Sequence, residues 1–187
     1  ATDMIDIDTV KANFDGISYA KGASALHQLV AHVGRDNFIT GLQKYFAKHA
    51  FKNTTLDDLL NELTATSGRD LKPWVDTWLR TSGVNTLRPK LEISGDTYSA
   101  ISVIQEAPTM PVGSTELRPH RMAVGLYDLS GSTLKLRKSV ELDVAGALTE
   151  VKELAGEKVA DLLLLNDRDL SYGKIRFDDR SIATLKS

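Results

Sequence analysis

The chain has 187 residues, 42% hydrophobic and 26% charged, with 23 Lys and Arg against 25 Asp and Glu for a formal charge of -2. That balance argues against a nucleic-acid binder working through a broad basic face and against a polybasic membrane anchor. Cysteine is absent, which excludes disulfides, thiolate metal sites and a Cys nucleophile, and no run approaches the roughly 18 apolar residues of a membrane span.

Up to about Ser82 the apolar residues recur at helical spacing. Leu26, Leu29, Val30 and Val33 form one stripe, closed by Gly34 as a C-cap. Asp36 precedes a second, Phe38, Ile39, Leu42, Tyr45 and Phe46, which fades near His49. Thr55 stands before Leu56, Leu59, Leu60 and Leu63, with Asp57 and Asp58 where the helix dipole favours negative charge. Gly68 stops this third stretch. Asp70 opens a fourth, Leu71, Trp74, Val75, Trp78 and Leu79, ending at Gly83, with Pro73 in its first turn.

After Asn85 the period becomes two. Leu91 and Ile93 alternate with polar residues, Gly95-Asp96 supplies a two-residue turn, and Tyr98 to Ile104 runs back. Met122, Val124 and Leu126 share a face, and Ser130-Gly131 turns the chain into Leu134 to Val144. Leu148 to Val151, Leu162 to Leu165 and Tyr172 to Phe177 complete about seven short strands, the pattern of an antiparallel sandwich of Ig-like size. The predicted fold class is therefore α+β: an N-terminal helical subdomain of about four helices followed by an antiparallel Ig-like β-sandwich. Ser181 predicts the cap of a final short helix. Both ends read as cut from a longer polypeptide: Ala1-Thr2-Asp3-Met4 has neither an initiator Met nor a signal-peptide pattern, and Ser187 truncates the final helix after barely two turns.

Spacing alone offers little chemistry. His27 and His32 lie five apart, which turns them away from each other on a helix, and no His pair sits four apart around a Glu. His49 lies near a helix end, where a cation is favourable. His120, at a strand start beside Arg118 and Arg121, reads as a modest basic spot on a rim. Asn166-Asp167-Arg168-Asp169 lacks the glycine and closing Glu of a calcium loop and predicts an Asx turn. No Gly-rich phosphate cradle or nucleophile elbow occurs. Trp74 and Trp78, four apart, predict core packing.

One segment stands apart. Phe14-Asp15-Gly16-Ile17-Ser18-Tyr19-Ala20-Lys21-Gly22-Ala23-Ser24-Ala25-Leu26 resembles the stretch downstream of the zinc site in M1 (gluzincin) aminopeptidases of the aminopeptidase N type. The resemblance runs on in order through Asn53-Thr54-Thr55-Leu56, through Ser67-Gly68-Arg69-Asp70-Leu71 with Trp74 and Trp78, and through Leu164-Leu165-Asn166-Asp167 to Tyr172 and Lys174. It implies that residues 1–86 are the C-terminal helical part of a zinc-peptidase catalytic domain, 87–178 its β-sandwich domain, and 179–187 the start of a truncated helical domain. It also implies a metallopeptidase that removes N-terminal amino acids from peptides. The zinc, held by two His of a His-Glu-x-x-His helix and a further Glu, and the general base would all lie before residue 1.

Tyr19 is the one catalytic residue of the family pattern within the chain, its implied role being to donate its phenol hydrogen to the oxyanion formed at the scissile carbonyl. A tyrosine phenol stays a neutral donor at neutral pH. Alone, the chain is expected to bind no zinc and cleave nothing. A peptide substrate, no nucleic-acid or membrane partner, and a cytoplasmic location follow from the same resemblance and composition, with self-association of the fragment through exposed apolar surface. The rival reading is a non-catalytic protein- or glycan-binding module, since such folds host many functions.

Overall fold

The computed structural model describes residues 6–13 and 16–187. The chain divides into two compact units, residues 1–81 and 82–187.

Five helices are described in the first unit: α1 (Ile7–Asn13), α2 (Gly16–Val33), α3 (Arg35–His49), α4 (Leu56–Ser67) and α5 (Lys72–Trp78). Apolar spacing predicts the last four. The short α1 escapes it, because two turns hold too few apolar positions to show a period, and Asp6 starts it by accepting the Thr9 N–H at 2.7 Å. Gly34, at φ 85°, adopts the left-handed backbone that lets α2 end and α3 begin one residue later. Helix α4 opens on a reciprocal cap: the Thr55 hydroxyl accepts the Asp58 N–H, and the Asp58 carboxylate accepts the Thr55 N–H at 2.8 Å.

The faces these helices turn inward form one core of Leu29, Val33, Leu60, Leu63, Leu71, Trp74, Val75 and Trp78. The two indoles pack tilted, with ring centroids 6.3 Å apart, as their four-residue spacing predicts. Gly41 lets α3 approach α4, for a Cβ there would lie 2.7 Å from Leu63 Cδ2.

The second unit is the predicted sandwich. Its strands are β1 (Thr86–Ser94), β2 (Thr97–Glu106), β3 (His120–Ser130), β4 (Thr133–Val144), β5 (Leu148–Glu150), β6 (Leu162–Asp167) and β7 (Lys174–Ile175). One sheet has the order β5-β2-β1-β7 and the other β4-β3-β6. Every named pairing is antiparallel except β1 with β7. Alternation fills the space between the sheets with Leu87, Tyr98, Ile101, Val103, Met122, Val124, Leu126, Val144, Leu163 and Leu165.

Some details differ from the sequence reading, beginning with α5, which ends at Trp78 and does not run on to Gly83. The β3–β4 turn is Gly131-Ser132, one residue later than Ser130-Gly131. The last strand is two residues rather than Tyr172 to Phe177, because only Thr86 and Leu87 offer it a partner. The final helix, α6 (Asp179–Lys186), is capped by Asp178, whose carboxylate accepts the Ser181 N–H. Ser181 instead faces inward, accepting the Leu163 N–H at 3.0 Å and donating to Asp178. Among the described residues no helix is long and apolar enough to cross a membrane.

Candidate functional site

Tyr19 lies in the first turn of α2 with 64% of its surface exposed. Ala20, Lys21, Gly22 and Ala23 after it are exposed too, and a Cβ on Gly22 would meet nothing within 4 Å. Burial begins later on the same helix: Ala25 packs on the core, Gln28 is 5% exposed, and Leu29 and Val33 are core residues. The C-terminal half of α2 thus anchors it, and residues Tyr19 to Ala23 are exposed. Other apolar side chains of this unit are also outward, namely Ile7, Leu26, Ile39, Phe46, Phe51 and Leu56.

The histidines of this unit are dispersed. His27 is exposed and His32 half-buried. Nε2 of His49 stands 4.0 Å from Asp58 Oδ1, beside the ring of Tyr45, whose hydroxyl is 2.6 Å from Thr54 Oγ1. Among the described residues no three His, Asp or Glu side chains converge as metal ligands would.

In the sandwich unit the structure corrects one reading and refines another. Arg118 and His120 are not a rim patch: each is only 1% exposed. His120 Nδ1 lies 2.6 Å from Ser171 Oγ, and burial, with the Arg118 charge as a second cause, lowers its pKa to about 4. The signal was present in the sequence, since His120 falls in phase with Met122, Val124 and Leu126, the positions that face the core. In the acidic run, Asn166 forms the predicted turn, its side chain accepting the Ser171 N–H and donating to the Ser171 carbonyl. Asp167, by contrast, is buried in strand β6, where its carboxylate accepts hydrogen bonds from Tyr127 at 2.7 Å and Ser139 at 2.9 Å. The bond from Tyr127 raises that phenol's pKa above the usual value.

Residues 2–78 match the peptidase family M1 domain. The chain is 52% identical over 188 residues to aminopeptidase N of Streptomyces lividans, an alignment covering 98% of this chain and 22% of that protein. It is 27% identical to aminopeptidase M1-B of Oryza sativa subsp. japonica, over 98% of this chain and 21% of the relative. A crystal structure of Legionella pneumophila aminopeptidase A in complex with aspartic acid shares the fold with a TM-score of 0.71 at 18% identity, over 94% of this chain and 20% of that one. The chain thus spans about a fifth of the length of these relatives.

Proposed function

From the premise that this chain belongs to peptidase family M1, we propose that it is a segment of an aminopeptidase that removes N-terminal residues from peptides. One observation carries the reading: 52% identity to the Streptomyces aminopeptidase N over an alignment that covers 98% of the chain. On this reading residues 1–86 close the catalytic domain, 87–178 are the sandwich domain that follows, and 179–187 begin a further helical domain.

Tyr19 is the residue of this chain that acts in the reaction. As water adds to the scissile carbonyl, the oxygen gains negative charge and the Tyr19 phenol donates a hydrogen bond to it. One such donor contributes on the order of 3–4 kcal/mol to the transition state. The exposure of Tyr19 supports this role, because a donor must be reachable by substrate. The general base and the zinc that the family uses belong to residues outside this chain, so the chain alone is inactive. Its surroundings are cytoplasmic, and its exposed apolar side chains drive self-association when its natural neighbours are missing.

The test has two parts. The 187-residue chain, supplied with zinc, should hydrolyse no member of a panel of aminoacyl-anilides; zinc-dependent turnover would overturn the account of where the chemistry sits. In the intact enzyme, Tyr19→Phe should lower turnover by about 10²–10³-fold with zinc content kept. Unchanged turnover would remove Tyr19 from the reaction.

A further inference from the structure

The chain enters the sandwich through residues 82–85, and this short segment is bound by side chains far away in sequence. Arg118, only 1% exposed, donates from one guanidinium nitrogen to the Ser82 carbonyl at 2.8 Å and from another to Asn85 Oδ1 at 3.0 Å. Asn85, equally buried, donates from its amide to the carbonyls of Glu106 at 3.1 Å and Glu116 at 2.6 Å. Those two carbonyls lie near the two ends of the β2–β3 connection, residues 107–119. Between Ser82 and Asn85 comes Gly83, at φ 93°, so close beneath the connection that a Cβ would fall 2.5 Å from both the Met110 carbonyl oxygen and Pro108 Cβ. The Asn85 carbonyl in turn accepts the Lys174 N–H at 2.9 Å, which ties the segment to strand β7.

These contacts come from independent groups and all act on the same four residues. A guanidinium withdrawn from water is costly, and an asparagine whose amide spans both ends of one loop fixes that loop's closure. Loops ordinarily run over the surface with their backbone groups given to water, whereas this one gives its Glu116 carbonyl to Asn85 and packs Pro108 on Gly83. We propose that residues 107–119 form a collar that locks the entry segment 82–85 into the sandwich, with Arg118 as its pin. The segment therefore moves with the sandwich and is not a free linker.

Hydrogen exchange on the full chain, read by mass spectrometry over peptides, tests this. Arg118→Met should accelerate exchange at least tenfold in residues 82–88, in 107–118 and at Lys174, while the β3–β6 ladder around Val124 and Leu165 keeps its protection. Gly83→Ala, which lifts the loop from beneath with Arg118 intact, should open the same peptides. It decides the question if Arg118→Met does not fold. Unchanged exchange in these peptides would overturn the proposal. So would an acceleration spread evenly through β3 and β6, since Arg118 would then be an ordinary core residue whose loss loosens the whole sandwich.

Discussion

His120 makes the stability of the sandwich depend on pH in a way that can be calculated. The imidazole is almost wholly withdrawn from water, with Ser171 Oγ at 2.6 Å. Burial and the Arg118 charge lower its pKa from 6.5 to about 4. An unfolded chain takes up that proton near 6.5, the folded one only near 4, so acid favours the unfolded state. The contribution is fully present above pH 6.5 and is lost as the pH falls to 4. At about 1.36 kcal/mol per unit, the loss is about 2 kcal/mol near pH 5 and approaches about 3.4 kcal/mol below pH 4. Carboxylates titrate in the same range, and the variant His120→Asn separates them. Asn keeps a polar atom near Ser171 but carries no titrating proton. Urea unfolding of both proteins, followed by the β-sheet circular dichroism signal, should show His120→Asn less stable near pH 7.5. The gap should then narrow by about 2 kcal/mol near pH 5. A gap that is the same at both pH values refutes the argument.

Other expectations follow from single contacts. Gly41→Val should destabilise the helical unit by about 1–3 kcal/mol, as the new side chain meets Leu63 and Thr66 within 3.0 Å; tryptophan fluorescence in denaturant reads this, and an unchanged midpoint would show that α3 and α4 have slack. Thr55→Ala removes the hydroxyl that accepts the Asp58 N–H and should cost about 1 kcal/mol, with Thr55→Gly costing only a few tenths; thermal melts rank the two. Asp167→Asn should bring the Tyr127 phenol to a lower pKa, since the hydrogen bond to the carboxylate is the main cause of its rise. Ultraviolet titration of tyrosinate, with Tyr127→Phe to assign the component, checks the shift, and an unmoved titration would count against the bond.

Most of the fold was legible because its elements bury one face. Helices α2 to α5 repeat apolar residues at three and four, and of the positions that spacing marks, Leu29, Val33, Leu60, Leu63, Trp74 and Trp78 are in the core while Leu26, Ile39, Phe46 and Leu56 are exposed. Strand β3 is equally plain in Met122, Val124 and Leu126. Strand β7 was not fixed by local pattern, since its two residues are strand only through a parallel pairing with a segment almost ninety positions earlier. Arg118 and His120 were misplaced for another reason. Residue type argues for the surface and phase argues for the core, and phase prevailed because Ser82, Asn85 and Ser171 supply partners that no local window contains.

Tyr19 shows the opposite limit of reading from pattern. Residues Ala20 to Ala23 after it are exposed, so no period marks it, and only the ordered resemblance of the surrounding residues singles it out. Its placement is nonetheless set by the fold. Leu29 stands ten residues further along the same helix, about 15 Å at the rise of an α-helix, and with Val33 it clamps that helix onto Leu63, Trp74 and Trp78. A small tilt at the clamp is multiplied over that length, whereas an oxyanion donor works only within a few tenths of an ångström of its position. On the role proposed for Tyr19, the precision demanded at an exposed phenol is met by packing at the far end of its helix. That is why the buried indoles matter to the chemistry proposed for Tyr19 without taking part in it.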